Sequence, residues 1–287
     1  MSTVTVSAGP RRGWRSIGTW IGAAIVGVAI FCALFAPLLV PHDPFAQDLG
    51  KRLLVPFWME GSDPQHLFGT DQLGRDYLAR LIYGCRISML IGITVSIVSG
   101  IIGITMGVLG GFLGGWVDDA VLFAITTRLS IPVVLVALAV VGLMGSGLGL
   151  VVATLGLLLW DRFAVVARAT TQQVRNLDYV NAAWCAGAST PHILIKEILP
   201  NIASHLAVVA TLEMALAILL EAALSFLGLG VPPPLPSWGL MIAEGKDYMF
   251  FSAWVIMIPG VALAVLVLGI NLVGDGLRNL LGTERLR

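Results

Sequence analysis

Long runs of apolar residues make up most of this chain, and charged residues interrupt them at only a few places. Residues 16–41, 87–117 and 129–160 each contain no Asp, Glu, Lys or Arg. A helix needs about 20 apolar residues to cross the roughly 30 Å of a bilayer's hydrocarbon core. Each run meets that length, so the pattern predicts an all-α, polytopic membrane protein.

The apolar runs predict six transmembrane helices. Gly145 and Gly147 divide the longest run, because it exceeds what one tilted helix needs. The expected spans are 18–40, 87–111, 119–143, 147–166, 206–228 and 252–274. We divide the chain into two parts. Residues 1–85 hold a cytoplasmic amino terminus, the first span and an outer loop, and residues 86–287 form a core of five spans with a cytoplasmic loop at about 167–205.

Basic residues predict the orientation of the spans. With the amino terminus in the cytoplasm, the inner segments hold nine Lys or Arg residues and the outer segments hold six. The inner nine are Arg11, Arg12, Arg15, Arg168, Arg175, Lys196, Arg278, Arg285 and Arg287. This excess agrees with the positive-inside rule, so we expect both termini to be cytoplasmic.

Composition and motifs argue against several classes of function. The chain is 57% hydrophobic and 12% charged with a formal net charge of zero, which argues against a nucleic-acid partner. The three cysteines have no paired spacing, and His42, His66, His192 and His205 fall on separate segments, so we expect no metal site and no cofactor. The sequence contains neither a glycine-lysine phosphate loop nor a catalytic constellation. Energy for transport must then come from another subunit or from an ion gradient.

The segment from residue 178 to residue 200 predicts a compact pair of helices outside the membrane. Asp178 is expected to cap a first helix, and Gly187 to break it. Thr190 is expected to cap a second helix with Pro191 at its first position, and Pro200 to end that helix. Little side-chain bulk lies near the break, which suits docking into a groove of a partner. The alternative is a helix that lies flat on the membrane surface.

Two carboxylates fall inside the fifth predicted span. Glu213 and Glu221 are eight residues apart, so one broad face of a helix can hold both. Because a charge in a spanning helix is costly, we expect this face to border a translocation path or a partner subunit. The alternative is a protonated or hydrogen-bonded packing role between helices.

Two outer segments carry further signals. Asp71, between Gly69 and Gly74, is expected to cap a helix that leads into the second span. The prolines around Pro236-Ser237-Trp238-Gly239 predict a stiff loop that is not helical, with Trp238 at the membrane interface. This loop is expected to dock a soluble solute receptor, or else to form a simple interfacial turn.

Within 178–200, the pattern of Ala-Ala, three residues, Gly and then Leu-Pro resembles the EAA loop of permease subunits in bacterial ATP-binding-cassette importers. In that family the loop docks in a cleft of the cytoplasmic ATPase. The resemblance implies an ATPase-coupling role for Tyr179, Asn181, Ala182, Ala183, Gly187, Leu199 and Pro200. Asn181 stands where the family usually has Glu, and Glu197 stands where related members often carry Ile or His.

Other segments narrow the resemblance to the "C" permeases of dipeptide and oligopeptide importers. These are residues 68–88, 220–230, 236–239 and 271–278. Phe123 and Thr126 occupy places where related members often carry Arg and Asp. Together the resemblance covers about residues 60–287.

The resemblance implies a type I importer permease in a bacterial plasma membrane that does not itself hydrolyse ATP. Its expected partners are a homologous second permease, two cytoplasmic ATP-binding subunits, an extracytoplasmic substrate-binding protein and membrane lipid. The expected cargo is di- or oligopeptides. Alternative cargoes are nickel chelates, glutathione or another small solute. A secondary transporter driven by an ion gradient and a membrane enzyme are the rival classes.

Overall fold

A computed structural model of the chain describes residues 12–283, with side chains from residue 17 to residue 280. Its helices are α1 (Arg12–Leu39), α2 (Tyr77–Leu113), α3 (Gly115–Leu129), α4 (Val133–Met144), α5 (Leu148–Leu158), α6 (Asp161–Val174), α7 (Asp178–Cys185), α8 (Thr190–Phe226), α9 (Trp238–Gly245) and α10 (Trp254–Thr283). The helical architecture is confirmed. The side chains of Arg11, Arg12, Arg15, Arg285 and Arg287, used to predict orientation, lie outside the described part.

Within residues 12–283, five helices are long and apolar enough to cross a membrane, and counting one bent pair of helices as a span brings the number to six. The order agrees with the six predicted spans, but several boundaries differ. Helix α2 begins at Tyr77 rather than at residue 87, because Asp76 caps it: the Asp76 Oδ1 atom accepts a hydrogen bond from Ala79 N at 2.7 Å. The division drawn after residue 85 therefore falls inside α2.

The third predicted span, 119–143, is broken rather than continuous. Helices α3 and α4 meet at an angle of 78° across residues 130–132. Pro132 disfavours helical dihedrals at the residue before it, which accounts for the break. Arg128 braces this corner by donating from Nε to Leu158 O at 2.6 Å and from Nη1 to Ile131 O at 3.2 Å.

Helix α8 corrects the prediction that Pro200 ends a helix. It runs from Thr190 through Pro200 to Phe226, and Leu199 keeps helical dihedrals (φ −54°, ψ −45°). The turn before it, Ile193–Ile198, is a π-helix, in which Leu199 N–H donates to Leu194 O. In a π turn each N–H bonds to the carbonyl five residues earlier rather than four. Pro200 has no N–H to donate, and this change of backbone pairing just before it lets the helix continue through the proline. The inner segment and the fifth span are consequently one rod.

Helices α2 and α6 approach closely along a stripe of glycines in α2. Gly103, Gly107 and Gly111 are spaced four residues apart and therefore share one helix face. A Cβ atom at Gly107 would lie 2.5 Å from Ala164 O, and one at Gly111 would lie 2.7 Å from Arg168 O. The helices pack backbone to backbone, as small residues allow within membranes.

The other end of α2 carries the loop of residues 40–76 and the short helix α9. An apolar cluster there joins α1, α2, α9 and α10, with Ala29, Tyr77 and Trp254 among its buried members. The rings of Tyr77 and Trp254 meet edge to face with centroids 5.2 Å apart. The loop and α9 thus close one end of the bundle, and α7 lies at the other end, where α2 terminates.

Candidate functional site

Helix α7 presents small and polar side chains on its exposed face. Asn181, Ala182, Ala186 and Gly187 are all exposed. On the opposite face Val180 is fully buried, in a cluster with apolar residues of α2, α6 and α8. The result is a surface of small side chains at the end of the bundle, with half-exposed Trp184 beside it.

Gly187 ends α7 with a left-handed backbone, as predicted from the break. Its φ is +82°, Gly187 N–H donates to Trp184 O at 2.9 Å, and Ala188 N–H donates to Ala183 O at 3.0 Å. This is the Schellman arrangement, which favours glycine because it has no Cβ. An added Cβ would meet nothing within 4 Å. The backbone conformation, rather than crowding, therefore selects glycine here.

The two predicted helix caps are wrong by one residue. Leu177 and Ser189 occupy the N-cap positions of α7 and α8, and neither makes a side-chain capping bond. Asp178 instead lies in the first turn of α7, where its charge complements the helix dipole. Thr190 lies in the first turn of α8.

Contacts around α7 fasten it to the end of α2. The rings of Trp184 and Phe112 are stacked, with centroids 6.1 Å apart and planes 4° from parallel. Arg175, just before α7, donates from Nη1 to Gly111 O at 2.9 Å and to Phe112 O at 3.2 Å. These carbonyls belong to the last turn of α2, where a cation is favourable. These contacts link α7 to the end of α2.

An ion pair fixes α6 against α3 nearby. Arg168 donates from Nε to Asp118 Oδ1 at 2.5 Å and from Nη2 to Asp118 Oδ2 at 2.7 Å. Gln172 Nε2 also donates to Asp118 Oδ2, at 3.2 Å. Two-point pairs of this kind are geometrically specific. The four elements α2, α3, α6 and α7 are thus joined at one end of the bundle.

The remaining residues of the predicted coupling loop lie on α7 and on α8. Tyr179, on α7, is exposed over 37% of its area, and partial burial together with nearby Glu197 raises its pKa. Leu199 and Pro200 lie farther along α8, where they line a groove of about 710 Å³ between α2 and α8. All the sequence-predicted coupling residues therefore belong to α7, its glycine cap or the first turns of α8.

A buried ionic network closes the opposite end of the bundle. Asp71 Oδ2 accepts hydrogen bonds from Arg75 Nε at 2.6 Å and from Arg80 Nη1 at 2.5 Å. Glu244 Oε2 accepts from Arg75 Nη2 at 3.1 Å and from Arg80 Nη2 at 2.8 Å. Sequence reasoning identified Asp71 but placed it as a helix cap and missed Glu244. The network ties the loop 40–76 to helix α9.

The predicted receptor-docking residues Pro236, Ser237, Trp238 and Gly239 are buried within the chain. The prediction of a non-helical loop is wrong at its end, because α9 begins at Trp238. Trp238 is buried, and its Nε1 donates to Leu81 O at 2.8 Å. Ser237 Oγ donates to Glu221 Oε1 at 2.9 Å. The exposed part of this segment is Pro233 and Pro234.

The two carboxylates of α8 have different surroundings, although neither has exposed area in the chain. Glu221 Oε1 accepts hydrogen bonds from Ser225 Oγ at 2.7 Å and from Ser237 Oγ. Glu213 lies 3.3 Å from Arg162 Nη1, but neither of its oxygens makes a hydrogen bond. Glu221 therefore joins α8 to the start of α9, whereas Glu213 is left with one partly exposed cationic neighbour.

The histidines correct one expectation. His42 and His66 do not lie apart: their ring centroids are 5.0 Å from each other, and both approach Asp76. They are 24 positions apart, and the turns that bring them together lie in a loop with no regular periodicity. Sequence spacing gave no signal for this cluster.

Comparison with known proteins places these features in a family. A family model described as "binding-protein-dependent transport system inner membrane component" matches residues 99–285. That match covers more than half of the chain. The chain belongs to this family. A second model, the N-terminal transmembrane domain of oligopeptide transport permease C, matches residues 14–56.

Relatives of this inner membrane component are similar over nearly its whole length. The di/tripeptide transport system permease protein of Pseudomonas aeruginosa is 41% identical over 272 residues, covering 93% of this chain and 90% of the relative. The dipeptide transport system permease protein of Escherichia coli strain K12 is 39% identical over 267 residues, covering 93% and 89%. The chain is thus a multi-pass membrane component of a transport system.

A solved structure shares the fold. A chain of the methionine ABC transporter MetNI, in an inward-facing conformation, aligns with a TM-score of 0.57 over 68% of this chain and 93% of that chain. At 19% identity this likeness concerns the fold alone. It supports the predicted importer-permease architecture for the aligned part of the molecule.

Proposed function

We propose that this chain is the permease subunit of an ATP-driven importer of di- or oligopeptides. The named activities of the relatives in P. aeruginosa and E. coli support the peptide cargo, since similarity extends over 93% of the chain in both. The chain forms the path and does not hydrolyse ATP. Nickel chelates, glutathione and ion-gradient transport are not favoured by these relatives.

The observation that carries the proposal is the exposed, low-bulk face of α7. Ala182, Ala186 and Gly187 leave room for a partner to approach, while Trp184 and Arg175 fasten the helix to the end of α2. Such a part suits a coupling role: when an ATPase closes on ATP, α7 moves with it and displaces α2. A ligand-driven shift requires a contact that differs between two states, and α7 provides a place for that contact.

The proposal assigns partners and orientation. The α7 end faces the cytoplasm and meets one of two ATP-binding subunits, and a homologous second permease completes the path. The end with α9 and the loop 40–76 faces outward and meets a substrate-binding protein in the region of Pro233 and Pro234, beside the buried residues 236–239. Both termini are then cytoplasmic in a bacterial plasma membrane. The matches at 14–56 and 99–285 suit a division into an accessory part and a core, although the predicted boundary between 1–85 and 86–287 falls within α2.

Of the two intramembrane carboxylates, we assign Glu213 to the translocation path, which must open around it in another state because its side chain has no exposed area in this one. Within residues 12–283 its oxygens make no hydrogen bond and lie 3.3 Å from the partly exposed Arg162, and a buried carboxylate so poorly satisfied is costly. Glu221 already serves two serine hydroxyls. We expect Glu213→Gln to change the KM or rate of peptide uptake severalfold, and Glu221→Gln to change neither, because glutamine retains an acceptor oxygen. Normal uptake by Glu213→Gln would remove Glu213 from the path.

The coupling role is tested by substrate-stimulated ATP hydrolysis of the assembled complex. We expect Ala182→Trp to leave the subunit inserted and assembled in the membrane but to reduce hydrolysis to its unstimulated rate, because the indole fills the space that the ATPase needs. Ala182 is exposed on a regular helix, so the change introduces no backbone strain, unlike a substitution at Gly187.

Two controls accompany this experiment. Ala182→Ser keeps the small volume and should retain full stimulation. Asp119→Trp adds the same indole to an exposed position on α3, at the same end of the bundle but outside α7. Full stimulation of Ala182→Trp, or equal loss in Asp119→Trp, would contradict the assignment of α7.

A further inference from the structure

Three polar side chains converge at the start of α2, outside the coupling surface and the ionic network. His42 follows α1 closely, His66 lies in the middle of the loop 40–76, and Asp76 caps α2. Each offers one metal-binding atom, and these three atoms lie within 4.8 Å of one another. We propose that His42, His66 and Asp76 bind a divalent transition-metal ion of the Zn²⁺ class.

The distances suit such an ion. With metal–ligand bonds of about 2.0–2.1 Å, ligand atoms in a tetrahedral site lie about 3.3 Å apart. The Asp76 Oδ2 atom is 2.8 Å from His66 Nδ1 and 3.6 Å from His42 Nδ1. These two distances are within about 0.5 Å of the tetrahedral value, and the ligand atoms of His42 and His66 lie within 4.8 Å, so an ion draws the two rings together. It replaces the His66–Asp76 hydrogen bond, and the His66 proton then resides on Nε2.

The protein alone leaves one polar atom of this cluster unsatisfied. His42 Nδ1 is buried and makes no hydrogen bond to the described part of the chain, although it lies 3.6 Å from the Asp76 oxygen that His66 already contacts. A buried nitrogen without a partner costs free energy. A metal ion satisfies both ring nitrogens and the carboxylate together. Two imidazoles and one carboxylate are donors that suit Zn²⁺ and similar ions rather than Mg²⁺ or Ca²⁺.

The surroundings hold the ligands in place and leave a route of entry. The other carboxylate oxygen of Asp76 accepts a hydrogen bond from Ala79 N–H at 2.7 Å. Hydrogen bonds of this kind orient the ligands of metal ions in proteins. The side chains of Asp76 and His66 are only 3% and 10% exposed, whereas that of His42 is 38% exposed. A cavity of about 220 Å³ lies beside the three residues. A water molecule from it completes the fourth position.

An ion in this position joins the end of α1 to the beginning of α2. His42 lies three residues beyond Leu39, where α1 ends, and Asp76 caps α2. The ion fastens the loop 40–76 across its length and so complements the Asp71–Arg80 pair farther along. We therefore assign it a structural role, which does not depend on the cargo of the transporter.

The test uses the full-length chain, produced with a histidine-free tag, purified in detergent and stripped by a chelator. Titration with Co²⁺ should give one ion per chain with the visible absorption of a four-coordinate site, and Zn²⁺ should displace it. His42→Ala and His66→Ala should each weaken metal binding by at least about 100-fold. Even the loss of a residue that only hydrogen-bonds to a metal ligand lowers metal affinity by about 10- to 100-fold. His192→Ala, at the start of α8, is the matched control and should bind normally.

A second readout separates metal binding from misfolding. Zn²⁺ should raise the Tm of the wild-type chain and of His192→Ala but not that of His42→Ala. Asp76→Asn keeps an oxygen for the α2 cap while removing the anionic ligand, so it should fold and bind metal weakly. Absence of a stoichiometric Co²⁺ site in the wild-type chain, or binding that survives both histidine substitutions, would overturn the proposal.

Discussion

The two carboxylate oxygens of Asp71 accept four hydrogen bonds. Its Oδ1 accepts from Leu73 N and Arg75 N, and its Oδ2 accepts from Arg75 Nε and Arg80 Nη1. Asp71 and Arg80 are each about 1% exposed, so this pair is almost completely removed from water. The loss of one partner from a buried pair leaves the other charge uncompensated.

We expect Asp71→Ala to lower the free energy of unfolding by about 3–5 kcal/mol, the range for breaking a buried ion pair. Asp71→Asn should cost less, because an acceptor oxygen remains. Chemical denaturation of the purified chain in mixed micelles measures both.

Lys51→Ala provides the comparison for Asp71→Ala. Lys51 pairs with Asp63 near the surface at 3.5 Å and should matter little. Equal effects of Asp71→Ala and Lys51→Ala would show that the buried network does not hold this end of the molecule.

At single positions, the sequence predicted what depends on a residue's own conformation. Gly187 was identified as a break because a left-handed Schellman turn favours glycine. The caps predicted at Asp178 and Thr190 were misplaced by one residue, because Leu177 and Ser189 hold the cap positions without a side-chain capping bond. The Arg80–Glu244 pair spans 164 positions, and no local pattern connects its partners. Pairs of this kind become visible only when the helices are assembled.

At the scale of elements, spans were predicted in number and order, but their ends were not. Helix α2 starts ten residues before the expected position, because Arg80 was taken as part of a polar outer loop while the structure buries it in ion pairs. The end predicted at Pro200 failed because a π turn accommodates the proline. Periodic apolar sequence predicts that a helix exists, whereas tertiary contacts decide where it begins and ends.

The glycine stripe of α2 gives a prediction about helix packing. A Cβ at Gly107 would press against Ala164 O of α6, so α2 and α6 must separate to admit it. We expect Gly107→Ala to lower stability by about 1–3 kcal/mol through overpacking. Thermal unfolding of the purified chain measures the loss.

Gly142 of α4 is the control for this change. An added Cβ there meets nothing within 4 Å, so Gly142→Ala should be neutral or stabilising by up to about 1 kcal/mol. If both variants behave alike, the loss reflects glycine content in general, and the close approach of α2 and α6 is not important for stability.

For the whole molecule, the resemblance in the 178–200 segment led to the family that the comparisons then showed. The sequence did not predict the histidine cluster, or that α9 packs over one end of the bundle. Both depend on contacts between segments that are far apart in the chain. At this scale α2 is the common element. One of its ends carries α7, and the other begins at the Asp76 cap beside the ionic network.

We propose above all that an ATPase outside this chain drives its conformational change, and that it acts only through α7. Uptake of a labelled dipeptide into vesicles that hold the complete complex and a binding protein tests it most directly. We predict accumulation against a gradient when ATP is supplied to the wild-type complex, and none with Ala182→Trp or with this chain alone. Uphill accumulation by the chain alone, without nucleotide, would contradict the account.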